Sequence, residues 1–239
     1  MKKFLNKFLF FIVMLAVTIF ILNINVTTRK GVDYQVYTIR LPLYLKLLDF
    51  FDRHYNYKHL AKFITQGAKT DQERLMKIFE WTYNNIRKPP PGLATIDDHA
   101  WYIIVRGYGE SDQFSDVFTT LCNYTGLEAF FTNICSPSQT KCATFSFVAL
   151  GKKWFVFDPY KGAYFKTYDG DLADIETIKN NDWVLGSLNE EIARNIKIEY
   201  YRDYIDGFFS LKKKGFNRAN IQSPLNRFLY EINKIIKNY

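Results

Sequence analysis

Cysteine and histidine are scarce, with three of each in 239 residues. No two cysteines stand as C-x-x-C, so neither a disulfide scaffold nor a zinc site has the raw material it needs. P-loop, Gly-x-Gly-x-x-Gly and His-Glu-x-x-His strings are missing, which removes the common nucleotide and metallohydrolase signatures. The predictions are therefore no metal and no cofactor. Glycine (12) and proline (7) are too few for a fibre or a flexible linker protein. Charge is only mildly unbalanced: 32 Lys plus Arg against 24 Asp plus Glu leaves +8. The longest basic run, Lys212–Lys214, is too short to argue for nucleic acid. Hydrophobic residues make up 48%, enough for a globular core and too little for a polytopic membrane protein.

One long apolar run is present. Lys2, Lys3 and Lys7 precede Phe8–Leu22, and the run extends through Asn23-Ile24-Asn25-Val26. Residues 8–26, as helix, rise about 28 Å, which is just a bilayer's hydrocarbon thickness. Two readings stand: an uncleaved anchor or a cleavable signal peptide. No small-x-small cleavage pattern follows the run. Taken as an anchor, residues 1–30 span the membrane with the basic end cytoplasmic, and residues 31–239 form a domain facing the periplasm or cell exterior.

Beyond the run, apolar spacing and Pro42 predict a helix over 42–67. Thr70-Asp71-Gln72-Glu73 is a capping box opening a helix with Leu75, Ile78, Phe79, Thr82 and Ile86 on one stripe. Pro89-Pro90-Pro91 ends it. A short helix is expected over 97–105. Another is expected to start at Ser111 or Asp112 as N-cap and run to Tyr124, with Gly126 closing it. Strands follow at 127–135, 144–150, 154–158 and 163–167, the second and third joined by a hairpin turn at Gly151-Lys152-Lys153. Helices are expected near 172–179 and 187–196, and Ser223-Pro224 starts a last one. Helices, then an antiparallel sheet, then helices make an α+β fold.

The chemistry-bearing pattern lies in residues 106–160. Gly109-Glu110-Ser111-Asp112-Gln113 enters a helix, Gly126 falls fifteen residues after Ser111, and Trp154-Phe155-Val156-Phe157-Asp158-Pro159 closes a hairpin. This pattern resembles the transglutaminase-like domain, a branch of the papain-like fold. The resemblance implies a cysteine nucleophile at the helix N-terminus, where the helix field favours thiolate. It also implies a histidine base on the next hairpin and an aspartate to orient it. Here the nucleophile position holds Ser111. The histidine position falls at Ala143 with a two-residue turn, or at Cys142 with a longer one, while Asp158 keeps the aspartate position. His54, His59 and His99 are the only imidazoles, and none is assigned to the site.

Losing one triad member costs on the order of 10⁴ in rate, and two are replaced. The resemblance therefore implies a pseudoenzyme whose groove binds a peptide, glycan or protein, with Trp101, Tyr108 and Trp154 as candidate lining residues. In bacteria the family is associated with the cell envelope, and the Asn-, Lys- and Ile-rich composition suits a bacterial chain. Two other readings stay open: an active Ser-dependent acyltransferase or hydrolase, and a structural scaffold in a membrane complex. Cys135 and Cys142 flank a short loop and either form a disulfide or remain free thiols. Cys122 is expected to be a buried free thiol.

Overall fold

The computed structural model describes residues 2–32, 35–93, 99–137, 141–189, 198–209 and 217–237. The chain divides into two units, one running to Arg53 and the other from His54 onward.

The first unit begins with α1 (Lys2–Leu22), within which Phe4–Leu22 is long and apolar enough to cross a membrane. That stretch starts and stops four residues earlier than the 8–26 expected. Asn23 closes the helix by donating its backbone N–H to Ile19 O, and Asn25 and Val26 already belong to a strand. The strands β1 (Asn25–Val32) and β2 (Gln35–Pro42) pair as an antiparallel hairpin, which the sequence reading left unassigned. α2 (Leu43–Ile64) follows directly. Within this unit Leu43 N–H donates to Ile24 O (2.9 Å), and Lys46 Nζ to Thr27 O (2.9 Å).

The second unit is the α+β body. Thr70 Oγ1 accepts from Glu73 N–H at 3.1 Å, and the Glu73 carboxylate reaches back to Lys69 N–H at 2.7 Å, so α3 (Asp71–Asn85) starts where the capping box puts it. Its stripe of Leu75, Ile78, Phe79, Thr82 and Ile86 is buried. After α4 (Ala100–Arg106) comes α5 (Ser111–Tyr124), with Phe114, Val117, Phe118 and Leu121 buried. Gly126, at φ +85°, takes the left-handed position that releases the chain into the sheet.

The sheet is a five-stranded antiparallel meander: β3 (Ala129–Cys135), β4 (Cys142–Leu150), β5 (Lys153–Asp158), β6 (Ala163–Lys166) and β7 (Val184–Ser187). The β4–β5 turn holds two residues, Gly151 and Lys152, since Leu150 pairs with Lys153 and Ser146 with Phe157. Strand alternation then sorts the side chains. Ala129, Val148, Phe155 and Phe157 pack toward α3 and α5. Phe145, Phe147, Val156, Ala163 and Phe165 pack on the other side against Tyr201, Tyr204, Ile205 and Phe208 of α7 (Ile198–Phe209). α6 (Ile175–Lys179) starts at an N-cap, Asp174, whose carboxylate accepts from Thr177 N–H at 2.8 Å.

A helix was expected to begin at Ser187, but Ser187 ends β7. Gly186 is pressed beneath the Tyr164 ring, where a Cβ would come within 2.5 Å, and this close approach favours an edge strand. Leu188 and Asn189 are not helical, and the rest of that expected helix, 190–196, lies outside the described residues. A 3-10 turn at Asn220–Gln222 leads into α8 (Pro224–Lys237), where Ser223 Oγ accepts from Asn226 N–H at 3.4 Å.

Candidate functional site

The segment entering α5 is held at both ends. Gly107, at φ +74°, closes α4, and its carbonyl accepts from Arg87 N–H (2.8 Å) while Gly109 N–H donates to Arg87 O (3.0 Å). The α5 cap is Glu110, not Ser111 or Asp112 as expected. The Glu110 side chain accepts from Gln113 N–H, and Gln113 Oε1 accepts from Glu110 N–H at 3.1 Å. A longer carboxylate side chain can play this part because Gln113 reciprocates the bond. The fold needs glycine just before the cap, since a Cβ on Gly109 would sit 2.8 Å from Gln113 Oε1.

Ser111 is therefore the first helical residue, and its hydroxyl is not spent on capping. Its Oγ lies 3.5 Å from Thr144 Oγ1. Thr144 in turn donates to Asn133 Oδ1 at 2.6 Å, its register partner on β3. With the Thr144 proton committed, Ser111 is the donor in this row. A hydroxyl and a carboxamide are neutral and have no proton affinity near pH 7, so nothing in the row removes the serine proton. Ala143 does not face Ser111, and Cys142, on the same face of β4 as Thr144, is not a free thiol. Alternation turns Ala143 to the α7 side, where it packs with the second core cluster, and Cys142 is bonded to Cys135 with their Cα atoms 3.9 Å apart. One turn deeper, Ser115 Oγ on α5 and Ser146 Oγ on β4 are buried without hydrogen-bond partners.

Asp158 is buried and engaged elsewhere. Its Oδ1 accepts from Lys161 N–H (3.1 Å) and its Oδ2 from the Tyr201 hydroxyl (3.1 Å). Burial pushes its carboxyl up to about 6, partly offset by Lys161. Burial, with the Asp158 charge and hydrogen bond beside it, pushes the Tyr201 phenol up. Lys161 Nζ rests 3.1 Å from the centroid of the Tyr200 ring, and burial lowers its affinity for a proton.

The sequence model of the Transglutaminase-like superfamily matches residues 58–159, the stretch from the end of α2 through β5. That match covers 102 of the 239 residues. No curated protein matches the chain. Among solved structures it is similar to a protein from Cytophaga hutchinsonii provisionally assigned as a cysteine protease (16% identity, 55% of this chain and 46% of that one, TM-score 0.40). A protein from Parabacteroides distasonis provisionally assigned as a protease shares 13% identity (56% and 35%, TM-score 0.37). A structure described as a TGase also shares 13% (56% and 43%, TM-score 0.31). The chain spans less than half the length of each.

Within the matched residues the candidate lining residues separate. Trp101 is half-buried on α4, edge-on to Tyr57 (5.6 Å between ring centroids), and its backbone N–H donates to the Tyr57 hydroxyl at 2.6 Å. Tyr108 forms a parallel bridge with Arg87, and the Arg106 guanidinium lies over its ring. Trp154 packs against Phe130 on the α7 side of the sheet, away from the face that Ser111 meets. The histidines have neighbours of their own. His54 bonds the Tyr124 hydroxyl (2.8 Å), His59 is exposed on α2, and His99 precedes α4 with its ring 6.1 Å from Tyr102. Two residues passed over in the sequence stand near the α5 entrance. Tyr160 lies edge-on to Phe114 (5.2 Å) with Lys88 4.8 Å from its ring centroid. Burial and the charges of Glu110 and Asp158 push the Tyr160 phenol up. Its position two residues after Asp158 was the available signal.

Proposed function

We propose that this chain is a membrane-anchored member of the transglutaminase-like group that binds without catalysing acyl transfer. The observation that carries this reading is the Ser111–Thr144–Asn133 row, which stands where a thiol and an imidazole would be needed. An unactivated serine hydroxyl is a weak nucleophile at neutral pH. The α5 N-terminus and the nearby Tyr160 and Lys88 suit a ligand with polar groups on an extended backbone, such as a peptide or a glycan. Phe4–Leu22 supplies the anchor, and the lysines at its start favour a cytoplasmic N-terminus with the domain outside.

The test is a turnover panel of amides and esters on the full chain in detergent, alongside Ser111→Ala. The reading expects no turnover from either protein. Turnover by the wild type that is lost in Ser111→Ala would establish a serine enzyme instead.

A further inference from the structure

We propose that the Cys135–Cys142 bond is a thiol-exchange site, opened by an external dithiol that attacks Cys135 and expels Cys142 toward the N-terminus of α5. Access comes first. Both half-cystines are exposed, although β4 is buried from Thr144 to Val148, and Cys135 lies on the edge strand of the sheet. Position comes second. The register sets Cys135 opposite Cys142 and Asn133 opposite Thr144. Alternation places all four on one face, the face that Ser111 meets. α5 runs alongside β4. Ser111 at its start contacts Thr144, and Asn123 near its end bonds both N–H and O of Ala129, the register partner of Val148. The helix N-terminus therefore points along the strand toward Cys142, about 7 Å beyond Thr144. A thiolate leaving on Cys142 forms in the positive field of that terminus and next to Lys141 in the chain. Cys135 lies one strand farther from the contact, between Ile134 and Ser136. The opposing carboxylates are muted, since Glu110 is bonded in the α5 cap and Asp112 is exposed to water.

The open form is held in place. Ser136 N–H donates to Lys141 O at 2.8 Å beyond the bridge, and Ile134 pairs with Ala143 inside it. The two sulfurs stay within reach of each other after the bond opens, so the couple is reversible. An exposed disulfide whose opening leaves its strands paired belongs to the exchangeable class and not to the structural staples. The exchange takes two steps. One thiolate of the dithiol attacks Cys135 Sγ, the Cys135–Cys142 bond breaks, and its electron pair leaves on Cys142 Sγ, which takes a proton from water. The second thiolate of the dithiol then attacks the reductant sulfur bonded to Cys135. The reductant departs as a disulfide, and Cys135 leaves as a thiolate that is protonated in turn. Two electrons pass from the dithiol to the protein. The site needs neither acyl transfer nor the membrane anchor.

The experiment exposes the full chain, in detergent and purified without reductant, to dithiothreitol. Alkylation with mass spectrometry counts the thiols, and near-ultraviolet circular dichroism follows the fold. Buried Cys122 is the internal blank under native conditions. Alkylation at Cys135 and Cys142 is expected with the folded signal retained, at a rate within about thirtyfold of that in concentrated urea. Slower reduction, or loss of the folded signal as the bond opens, overturns the proposal and makes the bond a staple. A chain that arrives with both thiols free is expected to close the bond in oxidised glutathione while folded, and failure to close overturns the proposal. Reduced glutathione, a monothiol, isolates the first step. Its adduct, trapped by rapid acid quench, is expected on Cys135 about fivefold more than on Cys142. An even split, or an excess on Cys142, overturns the assigned leaving group and the part played by α5.

Discussion

Ser111 Oγ and Thr144 Oγ1 face one another across 3.5 Å, joining the first residue of α5 to the face of β4 that it covers. The contact is long for an O–H···O bond and contributes little.

Ser111→Ala is accordingly expected to change unfolding free energy by less than about 0.5 kcal/mol, checked by urea denaturation. The paired variant Ser111→Cys, Thr144→His places a thiol at the helix N-terminus opposite an imidazole. It is expected to react with iodoacetamide well below the pH at which Ser111→Cys alone does, read from the pH dependence of the alkylation rate.

The Glu110–Gln113 box fixes the direction in which α5 starts. Gly109→Ala puts a methyl group against Gln113 Oε1 and Cβ, so the box has to open. A loss of about 1–2 kcal/mol is expected, matched by Gln113→Ala and not additive with it. Thermal melts of the two single variants and the double variant check this.

Asp158 makes stability fall as pH rises. Its folded value of about 6 lies above the ordinary carboxylate value of about 4, so folding takes up a proton between the two. The contribution is fully present below the unfolded value and is lost as pH rises through the folded one. Asp158→Asn keeps an acceptor for Lys161 N–H and a partner for Tyr201 without the buried charge. It should match the wild type near pH 4 and exceed it at pH 7.5 by on the order of 1–3 kcal/mol. Asp116, also raised to about 6 by burial against the pull of Arg218, adds a slope of the same sign. Denaturation midpoints across this pH range read the difference.

Reduction of Cys135–Cys142 is expected to cost about 2.5 kcal/mol in the chain-entropy account of a loop this size. Unfolding curves with and without reductant measure it. Because Ser136 N–H still donates to Lys141 O beyond the bridge, the ends of β3 and β4 should stay paired after reduction.

Much of the body was legible because local signals agreed. The Thr70–Glu73 box and the α3 stripe place residues where the fold has them, whereas the turn at Gly151-Lys152-Lys153 was open between two lengths until the register gave Lys153 to the strand. What escaped depends on distant partners. The α5 cap was misassigned because serine is the commoner cap, and only the Gln113 reciprocation lets Glu110 take the role. Thr144 was overlooked because which β4 residue meets Ser111 depends on how α5 crosses the sheet, and a motif spacing does not contain that angle. Tyr201, Tyr204, Ile205 and Phe208 do carry helical spacing in α7, but the expected helix was placed earlier in the chain. The Asp116–Arg218 pair joins residues about a hundred positions apart and leaves no local trace.

The short β4–β5 connection sets an odd-even rule for the sheet. With Gly151 and Lys152 alone in the turn, Phe157 goes to the α5 side and Asp158 to the side of Tyr201. Lengthening the connection by a single amino acid, with β4 held in place, would slide β5 by one position along its neighbour. Phe157, fully buried between Phe79 and Phe118, would then be matched against the wrong cross-strand partners. A chain that sought to move its aspartate toward the serine by this route would first have to dismantle its own aromatic core.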